Sequence, residues 1–385
     1  MSHIRLIHIA DLHAGKTNDR RLNRNEDLKH ALDQILDFAR ENRPHYAVVA
    51  GDIFDKKLPD AESISLITEF FIKLSRLGVK VVAIGGNHDS ALFLRSQTHW
   101  AEHFDIKLFP SLDRKNFVFR DGDVAFVCIP FVSERGITDL SEGSDRAKIQ
   151  YGELMRKLIL HGLKQVENVP YKVLVGHLYF AGSKLGNTEV EVTVTDSYAL
   201  SQSALPPEFD YVALGHVHRY QRLEASPAEA YYTGSLYQLD FGEAGQEKFF
   251  NYVVLEDNRA RVEKVKLSLL RELKKVTLKR GQKVSDLAKE LNKNTYYWVN
   301  IEASTPQEFL LKKQEVERVF GDNLLRVYPL GLSNRRRKLF RDPKRDLEKL
   351  KNPIEMYREY LKSLGREWNG EVEDLLKGLM GEITA

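Results

Sequence analysis

Short runs of aliphatic and β-branched residues recur along the first two-thirds of the chain and are typical of buried strands. Between the first three runs, apolar residues recur with a helical period over residues 25–42 and 59–77. This alternation predicts a β-α-β-α-β opening with a parallel sheet. The predicted strands are Arg5–Ala10, His45–Ala50, Lys80–Ile84, Tyr171–Val175 and Tyr211–Leu214.

Two later stretches change to short strands joined by tight turns, which is typical of β-hairpins. They cover residues 117–129, with a turn at Asp121-Gly122, and residues 231–267, with a turn at Asp257-Asn258. Together with the parallel strands they predict an α/β fold of two packed sheets with helices outside. From residue 274 to 328 the pattern restarts as β-α-β-α-β, which is long enough for a small second domain.

These changes of pattern predict four segments, namely a main domain over residues 1–270, a small domain over 271–330, a basic linker over 331–351 and a helical pair over 352–385. The linker is either a solvated spacer or a segment that binds backbone phosphates. The helices that follow Pro353 have an apolar face, which either folds back on the chain or binds another protein.

Composition narrows the class of protein. A chain of 385 residues is too long for one compact core, and its 58 basic and 55 acidic residues do not by themselves indicate a polyanionic partner. Cys128 is the single cysteine, so an intrachain disulfide is excluded and a reducing cytosol is expected. We see no apolar run of the ~18 residues that a membrane helix needs, and no signal peptide. A soluble cytoplasmic protein is therefore expected.

Each predicted strand of the parallel part ends in a segment that carries carboxylate, amide or imidazole side chains. Such ends meet at one edge of an open α/β sheet and form its usual binding site. A single match of this kind is usually a turn with a surface histidine, but five in order predict a site for two divalent cations bridged by one carboxylate. The segments are Asp11-Leu-His13, Gly51-Asp52-Ile-Phe-Asp55, Gly86-Asn87-His88-Asp89, Gly176-His177 and Gly215-His216-Val-His218.

The order D-x-H, GD-x-x-D, GNHD, GH and GH-x-H resembles the calcineurin-like metallophosphoesterase superfamily. Within it, the motif sequences DLHAGK, GDIFDK and GGNHDS are similar to those of the SbcD-type nuclease subunits of bacterial SbcC–SbcD complexes. The resemblance implies a four-layer α/β/β/α sandwich, with residues 271–330 as a cap domain that shapes access to the active site. A lobe with only a packing role is the alternative for those residues.

The resemblance also implies roles for the motif residues. It assigns one metal to Asp11, His13 and His218, and the other to Asn87, His177 and His216. Asp52 lies between these donor groups and is the expected bridge. His88 is not needed as a ligand and is free to stabilise the transition state or protonate the leaving oxygen. Asp55 is expected to orient His88, unless it is only a turn or helix-capping residue.

The donor set and the charges nearby narrow the chemistry further. Imidazole, carboxylate and amide donors suit Mn²⁺, Fe²⁺ or Zn²⁺ better than Mg²⁺, and the resemblance narrows the choice to Mn²⁺. Five basic residues lie just past the motifs and as a set favour a DNA substrate: Lys16, Arg20, Lys56, Lys57 and Arg95. Protein phosphatases of the superfamily commonly carry an Arg where this chain has Lys56-Lys57, which weakens the phosphatase alternative.

We therefore expect a Mn²⁺-dependent DNA phosphodiesterase. By resemblance it would be a double-strand exonuclease and single-strand endonuclease that processes broken or hairpin DNA ends near the nucleoid, with an SbcC-type coiled-coil ATPase bound to residues 352–385. The alternatives are a phosphatase or small phosphodiesterase of the same superfamily, and a DNA-end-binding scaffold with structural metals. A homodimer through the apolar helix at 59–77 is also expected, although a helix buried on two sides would show the same pattern.

Overall fold

The computed structural model describes residues 3–18, 22–132, 151–186, 199–257, 259–289 and 291–331. Arg20, the predicted basic linker from residue 332 onward and the predicted helical pair at 352–385 lie outside the described residues. By compactness the chain divides into two units, residues 1–301 with 310–328 and residues 302–309 with 329–385. The two six-stranded sheets and the candidate site described below belong to the first unit.

The first six-stranded sheet has a parallel centre, because its strands alternate along the chain with helices that cover one face. The helices are α1 (Asn25–Asn42), α2 (Ala61–Arg76) and α3 (Ala91–Glu102). The strands, in spatial order, are β16 (Arg259–Leu267), β15 (Lys248–Glu256), β1 (Ile4–Ile9), β4 (Tyr46–Val49), β5 (Lys80–Ile84) and β6 (Ile106–Phe109). Strands β1, β4, β5 and β6 are parallel, and the β15–β16 hairpin is joined to β1 through an antiparallel pairing with β15.

The second six-stranded sheet repeats this plan. Its strands, in spatial order, are β13 (Gln221–Arg222), β14 (Ala230–Tyr232), β12 (Tyr211–Gly215), β9 (Tyr171–His177), β8 (Val124–Ile129) and β7 (Val118–Asp121). Strands β14, β12, β9 and β8 are parallel, and an antiparallel strand closes each edge. Helix α4 (Tyr151–Gln165) packs on the outer face.

Side chains alternate between the two faces of each strand, so every central strand contributes to two cores. On β1, Leu6 faces the core between the sheets, whereas Ile7 faces the core beneath the helices. Cys128 is buried between the sheets, as expected for a thiol inside an apolar strand. The result is a four-layer α/β/β/α sandwich, and the predicted fold class is confirmed.

Smaller elements complete the described chain. Two-stranded pairings join β2 (Thr17–Asn18) to β3 (Leu22–Asn23) and β10 (Tyr179–Phe180) to β11 (Ala199–Leu200). A three-stranded sheet has the order β17 (Glu272–Leu278), β18 (Thr295–Glu302), β19 (Leu324–Leu330), with helices α5 (Val284–Ala288) and α6 (Pro306–Phe320) between its strands. None of the helices in the described ranges is long and apolar enough to cross a membrane.

Candidate metal centre

The predicted ligands meet at the carboxyl ends of the central parallel strands of both sheets. Each ligand leaves its strand within a few residues of the strand end, where the backbone turns and the side chain can point away from the sheet. The first sheet supplies Asp11, His13, Asp52 and Asn87, and the second supplies His177, His216 and His218.

Backbone hydrogen bonds tie the loops of this site together. The amide of Asp11 donates to the carbonyl of Gly51 (3.1 Å), and the amide of His13 donates to the carbonyl of Asp52 (3.0 Å). Across the two sheets, the amide of His216 donates to Asp11 Oδ1 (2.9 Å). The ligand positions are therefore fixed by one another as well as by their own strands.

Four of these ligands have a left-handed backbone. The φ angles are 52° at Asp11, 46° at His13, 49° at Asp52 and 95° at His216. Such angles cost a residue with a Cβ on the order of 1 kcal/mol or more, and they persist only where the surroundings impose them. This concentration of strain at one place is typical of a functional site.

We call Asp11, His13 and His218 the first half of the centre. The two imidazoles approach through their Nε2 atoms, with 3.2 Å between His13 Nε2 and His218 Nε2. One ligand atom from each of Asp11, His13, His218 and Asp52 lies within 4.8 Å of the others. That spacing is suited to several donors around one cation.

We call Asn87, His177 and His216 the second half of the centre. Asn87 Oδ1 lies 2.9 Å from both His177 Nε2 and His216 Nδ1. His177 Nδ1 lies 2.8 Å from the carbonyl oxygen of Ala50, which can only accept. Nδ1 of His177 therefore carries a proton, and its Nε2 is presented to the site.

Asp52 lies between the two halves. Its Oδ2 is 3.5 Å from His13 Nε2 and 3.5 Å from His177 Nε2, while its Oδ1 accepts the amide of His88 (2.8 Å). Gly86 packs directly against this carboxylate, since a Cβ at residue 86 would lie 2.1 Å from Asp52 Oδ1. Asp52 Oδ2 therefore lies within reach of one histidine of each half.

His88 is half-buried beside the first half, with its ring centroid 4.8 Å from that of His13. Asp55 contacts His88 through its main chain and His13 through its side chain. His88 Nδ1 contacts the main-chain carbonyl of Asp55 (3.0 Å), whereas the Asp55 carboxylate lies 3.3 Å from His13 Nδ1 and accepts from Lys16 Nζ (3.1 Å). The reason is the course of the chain, because the amide of Asp55 pairs with Ala14 and brings its side chain to His13.

The supporting role of Asp89 was missed, although the residue closes the GNHD segment. Its carboxylate accepts three backbone amides, from Ile53 (3.1 Å), Phe54 (2.9 Å) and Gly86 (2.8 Å). These bonds clamp the loop that carries Asp52 against the loop that carries Asn87. The signal that could have indicated this role is a carboxylate that follows two glycines in a strand-end loop, where free backbone amides are common.

A second supporting segment, residues 235–248, has no motif and was missed entirely. Glu243 Oε1 lies 3.2 Å from His218 Nδ1, and Glu243 Oε2 pairs with Lys248 Nζ (2.6 Å). The hydroxyl of Tyr237 donates to the carbonyl of His13 (3.0 Å). These contacts hold both histidines of the first half and are made by residues distant from them in sequence.

The chemistry of these residues fits a pair of divalent cations. Within the described part of the chain, Asp11 Oδ2 is a buried carboxylate oxygen with no hydrogen-bond partner. Burial raises the pKa of Asp11 to about 6 and lowers that of His13 to about 4, because charge is poorly solvated there. Burial alone would also lower the pKa of His177, but the Asp52 carboxylate raises it to about 9. Cations would offset the buried negative charge and use the unpartnered oxygen.

The basic residues that were predicted to contact DNA differ in how far their side chains are exposed, as far as the described residues show. Lys16 is partly exposed and paired with Asp55, whereas Lys56 and Lys57 are exposed on the loop that follows Asp55. Arg95 lies on α3 and donates to Ser111 Oγ (3.2 Å). All four follow a motif segment within nine residues, and Lys16 is the one that pairs with a motif carboxylate.

Comparison with known proteins agrees with this site. A family model described as calcineurin-like phosphoesterase matches residues 4–220. A Staphylococcus epidermidis protein, named as the SbcD subunit of the SbcCD nuclease, is 27% identical over 297 residues, which cover 76% of this chain and 78% of that protein.

Solved structures with low sequence identity are also similar. A dimetal phosphatase from Danio rerio is matched with a TM-score of 0.46 and 14% identity, over 69% of this chain and 97% of that one. A purple acid phosphatase from yellow lupin seeds is matched with a TM-score of 0.36 and 13% identity, over 70% of this chain and 52% of that one.

The family match spans all five motif segments, from Asp11 to His218. It confirms the prediction of a hydrolytic phosphoesterase and, with the convergent His and Asp side chains, fits a dimetal site. The SbcD-type resemblance expected from the motifs is confirmed by the staphylococcal relative. The chain therefore belongs to the calcineurin-like phosphoesterase family.

Proposed function

We propose that this protein is a Mn²⁺-dependent nuclease that cleaves DNA phosphodiesters. The observation that carries the proposal is Asp52 Oδ2, which lies at the same distance from one histidine of each half of the centre. A shared carboxylate between two donor groups supports two-metal hydrolysis rather than a single structural ion. The staphylococcal relative named as a nuclease supports DNA as the substrate.

The first half, with Asp11, His13 and His218, would hold one ion, and the second half, with Asn87, His177 and His216, would hold the other. Asp52 would bridge them. Mixed nitrogen and oxygen donors favour Mn²⁺ over Mg²⁺. Two cations held by these residues would supply an activated water and offset negative charge on the phosphate.

His88 would act as the general acid. The carbonyl of Asp55 can only accept, so Nδ1 of His88 carries a proton. The amide of His88 is anchored on Asp52 Oδ1, which keeps the ring beside the centre. From there His88 would stabilise the phosphate or protonate the leaving oxygen.

The basic residues along the first sheet support a polyanionic substrate. Lys56 and Lys57 are exposed, Lys16 pairs with Asp55, and Arg95 lies on α3. Arg20 joins this proposed DNA-binding set on sequence alone, since it lies outside the described residues. By the same resemblance the substrates would be duplex ends, single strands and hairpins, cleaved by exonuclease and endonuclease activities.

Two protein partners are part of the proposal. Residues 352–385, which follow the basic linker at 331–351, would bind an SbcC-type coiled-coil ATPase. Residues 271–330 would act as a cap that shapes DNA access. A homodimer would use α2, where Ile67, Phe70 and Phe71 are buried in the core. The contact with a second copy would come from Ile64 and Leu66, which are partly buried on the same helix. A cytoplasmic, nucleoid-associated location would follow.

The test compares Mn²⁺-dependent hydrolysis of end-labelled duplex DNA with that of para-nitrophenyl phosphate. Wild-type protein, His88→Ala and a control, His161→Ala, would be assayed together with calorimetry of Mn²⁺ binding. His161 is a surface histidine on α4 and should not affect either substrate. We expect DNA degradation that falls by about 10²–10⁴-fold in His88→Ala while both metals stay bound.

Other outcomes would redirect the assignment. Turnover of the monoester alone would indicate a phosphatase, and DNA binding without hydrolysis of either substrate would indicate a scaffold. Loss of metal in His88→Ala would make His88 a ligand.

A chain that ends before Lys351 tests the partner segment. It should keep its nuclease activity but fail to bind the ATPase, and unchanged binding would contradict the assignment of residues 352–385.

A further inference from the structure

Both histidines of the first half have a carboxylate at the nitrogen that points away from the site. Asp55 Oδ1 lies 3.3 Å from His13 Nδ1, and Glu243 Oε1 lies 3.2 Å from His218 Nδ1. Each carboxylate in turn pairs with a lysine, Lys16 for Asp55 and Lys248 for Glu243. The first half therefore has two lysine–carboxylate pairs, one beside each histidine.

The two pairs differ in burial. The side chains of Lys16 and Asp55 are 27% and 11% exposed, so solvent reaches them. The side chains of Lys248 and Glu243 are 2% and 0% exposed. An ion pair at such depth loses the hydration of both charges, and apolar residues of similar volume would usually be at least as stabilising. The Lys248–Glu243 pair lies beside the predicted ligand His218, which points to a role at that ligand and not in stability.

The Glu243 carboxylate is held rigidly. Glu243 Oε2 accepts from Ser235 Oγ (2.9 Å), from the amide of Leu239 (3.1 Å) and from Lys248 Nζ. Lys248 Nζ also donates to Ser235 Oγ (2.7 Å) and to the carbonyl of His218 (3.3 Å). With Oε2 fully engaged, Oε1 is directed to His218 Nδ1. The group has the fixed orientation that a partner of a metal ligand requires.

We propose that Glu243, paired with Lys248, is a positioning residue that fixes the Nδ1–H tautomer of His218 and strengthens the ion of the first half over that of the second. An acceptor at Nδ1 keeps the proton there, which leaves the lone pair of Nε2 for the cation. A carboxylate also makes the imidazole a stronger donor than a neutral acceptor would. This inference rests on the proposed metal role of His218.

The experiment measures Mn²⁺ binding by calorimetry in the full chain, for wild type, Glu243→Gln and the double variant Glu243→Gln with Lys248→Met. Glutamine keeps the size and an acceptor but removes the charge, and methionine restores charge balance in the core. The control is Glu247→Gln, because Glu247 also pairs with a lysine, Lys266 (2.5 Å), but with both side chains about 60% exposed.

We expect both Glu243 variants to lose about 10–100-fold in affinity at one of two sites, while the other site and the control are unchanged. The double variant should regain the thermal stability that the single variant loses, but not the metal affinity. That separation distinguishes positioning of a ligand from balance of a buried charge. Wild-type affinity at both sites in the double variant, or an equal loss at both, would overturn the proposal.

A measurement on the wild type keeps the proposal testable if the variants do not fold. In the Zn²⁺-loaded protein, long-range ¹H–¹⁵N spectra should show His218 bound through Nε2 with a proton on Nδ1. A ring bound through Nδ1 would overturn the assignment. If wild type binds no divalent metal, the proposed function fails as well, whereas normal binding with unaffected Glu243 variants would remove this inference alone.

Discussion

The two halves of the metal centre are supported in different ways. In the first half, Nδ1 of His13 and Nδ1 of His218 lie 3.3 and 3.2 Å from the side-chain carboxylates of Asp55 and Glu243. In the second half, Nδ1 of His177 donates to the backbone carbonyl of Ala50 (2.8 Å). Gly51 packs tightly there, because a Cβ at residue 51 would lie 2.3 Å from His177 Nδ1.

The comparison shows that an imidazole can be oriented either by a side-chain carboxylate or by a main-chain carbonyl. A carboxylate adds charge and makes the ligand more basic, whereas a carbonyl only fixes its proton and direction. The first half can therefore be weakened by removing one side-chain atom or charge. The second half must be disturbed by adding atoms where the backbone is close.

The largest effect should come from the residue that the two halves share. In Asp52→Ala we expect both metal sites to be lost and hydrolysis to fall by about 10³-fold or more, because neither half keeps its common carboxylate. Calorimetry with Mn²⁺ and the DNA assay would be run on the same preparation. Two binding events of wild-type strength in this variant would show that the halves do not share Asp52.

The second half should respond to added volume. In Gly51→Ala the new methyl group would press on His177, so we expect a loss of one metal site and about 1–3 kcal/mol of stability. The matched control is Gly245→Ala, where the backbone is also left-handed (φ 78° against 90°) but nothing lies within 4 Å of the added Cβ. Equal behaviour of the two variants would mean that backbone strain, not contact with His177, causes the loss.

His8 joins β1 to β12, the two strands that precede Asp11 and His216. His8 accepts from the hydroxyl of Tyr211 at Nδ1 (2.8 Å) and donates to the carbonyl of Leu214 from Nε2 (3.2 Å), so it is neutral. Burial lowers the pKa of His8 to about 3. The unfolded chain binds this proton below pH 6.5 and the folded protein does not, so stability falls as the pH drops from 6.5 towards 3.

The loss should be about 1.4 kcal/mol per pH unit over that range, and His8→Gln should lack this contribution. Urea unfolding of both proteins in chelator, over a pH range from about 8 to about 5, measures the difference, in which the other titrating groups cancel. Equal slopes for the two proteins would show that His8 is protonated in the folded state.

The smallest effect is expected from a support that carries no charge. Tyr237→Phe removes the hydrogen bond to the carbonyl of His13 and should cost about 0.5–1.5 kcal/mol of stability. Both metal affinities should stay within a few-fold of wild type, in contrast to Glu243→Gln. A loss as large as that of Glu243→Gln would indicate that any contact with a first-half histidine matters equally, whatever its charge.

Most of the fold could be predicted because it depends on local patterns. The helix predicted at residues 25–42 is found with those bounds, and the strand predicted at Lys80–Ile84 is unchanged. The strand predicted at Tyr171–Val175 extends to His177, because a ligand at the end of a parallel strand still pairs with its neighbour. Short strands such as β2 and β10 were not predicted, since two residues carry no period.

The sequence by itself determined the donor atoms of the centre, because each one follows a recognisable strand within a few residues. Only the tertiary structure decided how the donors are oriented. Glu243 meets His218 from 25 residues away along the chain, and the carboxylate of Asp55 turns to His13 while its carbonyl meets His88. Such pairings depend on how two sheets stack and on left-handed turns at the ligands, and neither has a period or a spacing that a single segment could show.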